Sequence, residues 1–196
     1  MKRILFTSIV VFTLSSVHAQ DRFIKADGGL GAALTLGELK SYGISVSFEP
    51  KFFFNKRISA GLRMEGDVLF GGSLSSDAGN VSVSTSSRAA FLVKGEYYFS
   101  ENQNRLFVGL MVGRYTQANS GVEVNGNSIP DSSLSAVRSF GFAPEVGVTL
   151  NNFRLSAIYH VVTGEDIVSV STGNGVKVNR SYLVLQLGFK IFQVNL

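Results

Sequence analysis

An all-β chain, an eight-stranded antiparallel up-and-down β-barrel behind a cleaved signal peptide, is what the sequence predicts. Three observations point there. Apolar and small residues alternate with a period of two over stretches of about ten residues or more. Every second connection between these stretches is tight, and most of the others are long. The composition holds 21 glycines and 16 phenylalanines but no cysteine and no tryptophan, which suits neither a helical enzyme nor a disordered chain.

The chain opens MKRILFTSIVVFTLSSVHA. Lys2 and Arg3 form a basic start, Ile4 to Leu14 an apolar run and Val17-His18-Ala19 a cleavage site, so 1–19 reads as a secretory signal peptide and 20–196 as the barrel domain. The run is short for a membrane-spanning helix and polar residues interrupt it. No cysteine stands near the cut, which excludes a lipid-anchored lipoprotein, and none elsewhere leaves no disulfide framework. With Lys2 and Arg3 gone, 16 basic residues face 14 acidic ones, so charge gives no ground for nucleic-acid binding. Beyond the leader no stretch of eighteen continuous apolar residues occurs. Any membrane crossing is therefore by strands.

The predicted strands are 23–36, 42–53, 58–70, 88–99, 105–116, 137–150, 153–163 and 180–192. Each is long enough for a tilted strand to cross a bilayer, where soluble strands average about five or six residues. The tight links are Asn55-Lys56, Glu101 to Asn104 and Asn151-Asn152. The others are Gly37 to Ser41 and the long 71–87, 117–136 and 164–179. Pairing Leu150 with Phe153, and Ser100 with Arg105, keeps the apolar residues of both strands on one face. Parity at Asn55 requires a three-residue or bulged turn.

One face of these strands is apolar: Ile44, Val46, Phe48 and Phe52; Leu62, Met64 and Val68; Phe91 and Val93; Val108, Leu110 and Val112; Phe140, Val146 and Val148; Leu185, Leu187 and Phe189. The other is dominated by Gly, Ser and Ala with isolated charges. A soluble barrel would carry many Lys, Glu, Asp and Asn on its outer face. A narrow lumen instead has room for small residues and a few long, paired ones. The apolar face is therefore expected to meet lipid, with Tyr42, Phe52, Tyr97, Phe99, Phe153 and Phe192 as aromatic girdles near the strand ends. The competing reading is a soluble secreted or periplasmic barrel that turns this face inward to bind a small apolar ligand.

The small-residue face carries Glu49, Lys51, Arg63, Glu65, Asp67, Lys94, Glu96, Glu145 and Lys190, together with His160 and Gln186. Ions confined in a narrow interior must pair, so the nine charges are expected to form a structural network that plugs the lumen. No catalytic constellation emerges. His160 is the one histidine left after cleavage, which excludes multi-histidine metal sites, and Ser156 lies too far along the strand to serve as its nucleophile. Gly71-Gly72 and Gly173-Asn174-Gly175 lack the strand–helix setting of phosphate loops and read as turns. No cofactor, no metal and no enzymatic activity are expected.

Within the long links alternation resumes at Val81-Ser82-Val83 and Val122-Glu123-Val124. It also resumes at Val168-Ser169-Val170 facing Val176-Lys177-Val178 across Gly173-Asn174-Gly175. The last is a hairpin signal, expected to carry the final two strands beyond the bilayer and to offer Val168, Val170, Val176 and Val178 as an external interaction surface.

The hairpin PEVGVTLNNFRLSAIYH (144–160) and the last strand YLVLQLGFKIF (182–192), set in tandem alternating strands, resemble the outer-membrane β-barrel domain family of small porin-like, OmpA/OmpX-type proteins. The resemblance covers the mature chain. It implies an eight-stranded monomer in the outer membrane of Gram-negative cells, inserted by the barrel-assembly machinery. It also implies that outer-membrane lipid is the constant partner, that external loops are where a surface protein partner would bind, and that there is no catalytic role. Barrels of this family usually end in an aromatic residue, whereas here Gln193-Val194-Asn195-Leu196 follows Phe192. The assembly signal is then either internal at Phe192 or differently read.

Overall fold

A computed structural model describes residues 22–35, 41–71, 73–76, 79–124, 127–128, 136–163, 166–169, 175–178 and 180–196. The signal peptide expected at 1–19 and hairpin residue Val170 lie outside the described residues. Eight long strands make the barrel: β1 (Phe23–Thr35), β2 (Tyr42–Phe53), β3 (Ile58–Phe70), β4 (Gly79–Tyr98), β5 (Arg105–Val124), β6 (Val137–Leu150), β7 (Phe153–Val162) and β8 (Tyr182–Asn195). Each pairs antiparallel with its neighbours in sequence, and β8 returns to pair with β1, which closes the ring. A closed ring leaves no unpaired strand edge along the barrel wall.

Five strands match their predicted spans to within one residue. β4 starts nine residues early and β5 runs eight residues long. Their extra lengths pair with each other, from Thr85↔Ser120 to Val81↔Val124, beyond the last β3–β4 pair, Phe70↔Thr85, and the last β5–β6 pair, Gln117↔Val137. Backbone pairing needs no apolar face, so the hydrophobic pattern stops where the barrel wall ends while the ladder continues. A 20-residue strand spans about 66 Å, well past an apolar band of about 25 Å. Ser73–Ser76 folds back along β4 and Asn127–Ser128 along β5, widening this projection. Asp166–Ser169 and Gly175–Val178 form a separate two-stranded sheet with Val168 opposite Val176. A hairpin stands where one was expected, but Gly175, expected in its turn, pairs with Ser169 as strand, and the sheet does not prolong β7 and β8.

The tight turns follow side-chain parity. Leu150 pairs with Phe153 across Asn151-Asn152, and Asn151 takes φ 58°, a left-handed conformation that asparagine tolerates. Phe54, the first residue after β2, donates its N–H to Ile58 O at 3.0 Å and closes a three-residue turn, Asn55-Lys56-Arg57, before β3. Asn55 Oδ1 accepts from the N–H groups of Arg57 and Ile58, each at 2.8 Å, and pins that turn. At the chain end, β8 does not stop at Phe192. A bulge at Ile191 shifts the register, and pairing with β1 continues through Phe23↔Asn195. The residues past Phe192 complete the wall beside β1.

The polarity is inverted relative to a soluble fold. Among the described residues, 35 large apolar side chains are exposed, Leu110 at 55% and Val146 at 56%, while Arg63, Lys51 and Glu49 are buried. Soluble monomers rarely expose contiguous apolar patches beyond a few hundred Å². This belt surrounds the barrel. At the turn end it carries Tyr97 edge-on to Phe99 and Phe52 edge-on to Phe54, with ring centroids 5.4 and 5.1 Å apart. Leu110→Arg should destabilise the barrel in lipid by about 2–4 kcal/mol, as a charge at mid-belt does. Leu110→Val should change little. Urea titration of vesicle-inserted protein measures both, and equal stability of the two variants would contradict a lipid-facing Leu110.

Candidate functional site

The inward face is built by the same alternation. Residues two apart on one strand share the lumen, so Glu49 and Lys51 on β2, Arg63 and Glu65 on β3, and Lys94 and Glu96 on β4 all point inside, where they are buried. Register then sets their depth: Glu49 lies opposite Asp27, and Gly61, the inward position beside Arg63, lies opposite Lys51 and Lys94. The result is one connected cluster. Lys51 Nζ lies 2.9 Å from Asp27, 3.1 Å from Glu49 and 3.3 Å from Glu96. Lys94 Nζ lies 2.8 Å from Glu49 and 3.0 Å from Glu96, and also pairs with Glu145. Arg154 joins Glu96 at 2.6 Å and Glu145 at 2.8 Å. Arg63 pairs with Glu49 and donates from Nε to Glu65 at 2.6 Å. Lys25 reaches Asp27 at 3.0 Å. Five cations thus meet five carboxylates, and the cluster carries no net charge.

Neutral groups fill in around it. The Ser59 and Tyr98 hydroxyls each donate to Glu96 at 2.8 Å, and Tyr182 OH donates to Glu65 at 3.0 Å. Gln186 donates to Ser47 rather than entering the charged belt. Below the cluster, at the turn end, aromatic rings close the lumen. Phe23 stacks on Phe53 at 4.2 Å, Phe53 contacts Tyr98 and Tyr98 contacts Phe107, each at 5.5 Å. Arg105 lies over Tyr98 at 4.0 Å and Arg154 over Phe107 at 3.7 Å. Gly147 makes room for this floor, since a Cβ there would collide with the Phe107 ring and with Leu155 O.

Toward the loop end His160 is fully buried. Its ring stacks on Tyr182 at 4.3 Å, Nδ1 meets Tyr115 OH at 3.1 Å and Nε2 lies 3.3 Å from Glu65. Arg88 covers the other face of this stack, 4.6 Å from the Tyr182 ring centroid. Asp67 occupies that layer, opposite Ser45 and Arg88, and among the described residues forms no ion pair. Leu92, Met111, Ala143, Ile158 and Val184 pack in an apolar layer between the polar levels.

Of the nine charges singled out from sequence, seven meet in the cluster: Glu49, Lys51, Arg63, Glu65, Lys94, Glu96 and Glu145. Lys190 does not join them. It sits beside the β8 bulge, opposite Asp27, partly exposed, and makes no ion pair among the described residues. Asp27, Lys25 and Arg154 complete the cluster without having been singled out. Asp27 and Lys25 carried a usable signal, since they stand two apart on one face of β1, as Glu49 and Lys51 do on β2. Arg63→Met should cost about 3–5 kcal/mol, because it strands the buried Glu65 carboxylate without a cation. Adding Glu65→Gln should recover a large part of that loss. A double-mutant cycle in detergent measures it, and additive losses would mean the two are not coupled.

No family model matches the chain, and no curated protein does. Solved structures do. The outer membrane protein OprG from Pseudomonas aeruginosa superposes with TM-score 0.51 at 11% identity, over 89% of this chain and 97% of that one. Neisserial surface protein A gives TM-score 0.48 at 14% identity, over 89% and 97%. The N-terminal β-barrel domain of Pseudomonas aeruginosa OprF gives 0.40 at 14%, over 89% and 100%. The fold is that of an eight-stranded barrel of this kind, with its apolar belt turned outward.

Proposed function

We propose that this chain is an integral, non-conducting outer-membrane protein, cleaved after Ala19, whose barrel is an anchor and whose work is done at the loop end. The observation that carries this reading is the charge-balanced cluster of ten ions standing on an aromatic floor. A conducting lumen needs a continuous polar, hydrated path, and eight strands enclose little more than their own side chains. Here those side chains are committed to one another, and Phe23, Phe53, Tyr98 and Phe107 seal the turn end beneath them. His160 has no open cleft in front of it and its partners are Glu65, Tyr115 and Tyr182, so no catalytic role is assigned. The short turns mark the periplasmic end and the long connections the cell exterior.

With the lumen closed, function falls to what projects: the β4–β5 extension and the sheet of Asp166–Ser169 with Gly175–Val178. Val168, Val176 and Val178 of that small sheet, with Val170 next to it in the sequence, are the proposed contact positions, and the sheet can accept a strand from a surface protein partner at its edge. Planar-bilayer recordings of the wild-type chain should show no stable conductance. A large steady channel would refute the plug. Replacing residues 167–178 with a short Gly-Ser turn should leave insertion intact and lower adhesion to cells or proteins, whereas unchanged adhesion would remove this hairpin from the recognition surface.

A further inference from the structure

Around the whole outward face of the barrel, among the described residues, the eight strands present two charged side chains, Arg114 on β5 and Arg138 on β6. Both are exposed, and they are neighbours. Arg114 pairs across the ladder with Phe140, and Thr116 pairs with Arg138, so the two arginines stand diagonally on one face. That geometry places them about 7–8 Å apart. No hydrogen bond or ion pair joins either guanidinium to another described residue, and no outward carboxylate on the described strands balances them. Like charges at adjacent positions repel unless an anion lies between them.

Their depth is as specific as their charge. Across β4, β5 and β6 the outward rows read Val93, Val112, Phe142, then Phe91, Arg114, Phe140, then Ala89, Thr116, Arg138, moving toward the loop end. The apolar belt therefore ends, through a row flanked by two phenylalanines, in two cations. Arg114 stands nine steps along β5 from Arg105, its first residue at the turn end, which for a tilted strand is about the 25 Å height of a barrel's apolar band. At that level the surroundings are lipid headgroups.

We propose that Arg114 and Arg138 form a two-guanidinium clamp for the phosphate of an anionic lipid headgroup in the leaflet at the loop end. Each guanidinium offers a planar fork of N–H donors that matches phosphate oxygens, and one phosphate between them removes their mutual repulsion. The acyl chains continue down the belt over Val112 and Phe142, so one molecule satisfies both the charge and the apolar surface beneath it. The clamp rests on the lipid-facing reading of the belt.

The test uses the full mature chain in vesicles of phosphatidylcholine containing phosphatidylglycerol, followed by detergent extraction and measurement of co-purified phosphatidylglycerol by native mass spectrometry. The wild type should retain phosphatidylglycerol in preference to phosphatidylcholine. Arg114→Gln with Arg138→Gln should lower that retention about tenfold or more, as the loss of two cations facing an anionic headgroup implies. Arg22→Gln with Lys56→Gln, the same charge change at the turn end, should leave it as in the wild type. Equal retention by the wild type and the Arg114/Arg138 variant overturns the clamp, as does equal loss in the turn-end control. Release of the lipid by an equal concentration of inorganic phosphate would make this a soluble-anion site and refute the lipid assignment. The heat-shifted electrophoretic mobility of a folded barrel separates the two readings. Failure of the wild type to insert refutes the membrane reading itself, whereas insertion with unselective lipid retention refutes the clamp alone.

Discussion

The ladder between β8 and β1 is the constraint on which the rest of this molecule depends. In a bilayer an unpaired strand edge leaves a row of amide and carbonyl groups with no water to satisfy them, so a sheet that enters lipid has to close. Closure at eight strands fixes a narrow interior, and the period of two then divides every strand between lipid and lumen. The bulge at Ile191 belongs to this requirement. It lets the last residues of β8 stay in register with Phe23 to Ala26 after the alternation has slipped by one. Gln193 to Asn195 pair with Phe23 to Lys25 and finish the ring at its turn end.

Once the interior is narrow, the sequence has two ways to fill it, and this chain uses both in layers. Leu92, Met111, Ile158 and Val184 fill one layer with apolar volume. The layer beneath is filled by Arg63, Lys51, Lys94 and Arg154 with their carboxylates. Buried ion pairs are a weak source of stability compared with well-packed hydrophobic residues. What they supply is directional: each cation contacts two or three carboxylates from different strands, which fixes strand register from the inside. Apolar side chains in the same space would tolerate a slipped register far more easily.

The alternating pattern made most of the fold legible. Strand ends at Phe53, Ile58, Phe70, Arg105, Leu150 and Phe153 were set by where apolar residues on one face stop, and turn parity followed from counting. The pattern was silent where no lipid is involved. Gly79 to Ser87 and Gln117 to Val124 form strands because they pair with each other; alternation shows only at Val81 to Val83 and Val122 to Val124, and the Ser- and Asn-rich residues between carry no apolar face that would join them to the barrel strands. In the lumen, face could be read but partner choice could not. Lys190 has the right parity and the wrong neighbourhood, because the bulge beside it depends on β1. Arg154 is the first inward residue of β7, and its reach to Glu96 across the barrel depends on tilt and stagger, which a linear sequence does not state. His160 had the parity of a lumen residue, but its stacking on Tyr182 and its contacts with Tyr115 and Glu65 could not be read from the chain.

A barrel whose lumen is packed with paired charges keeps its ions inside and its apolar surface outside. The outer surface and the loop end are what such a barrel presents to its surroundings. The outward distribution of charge fits that division. Lipid tolerates no ions along the wall, and the described strands comply from the turn end up to the row of Phe91 and Phe140. Two arginines at that boundary, on the two strands that flank the long β5–β6 connection, stand where β5 leaves the wall to form the β4–β5 projection. A barrel can rotate and sink in a fluid bilayer unless something at the interface holds its depth. Cations that meet headgroup phosphates directly above an apolar belt resist both, and so fix the height at which the projection is presented.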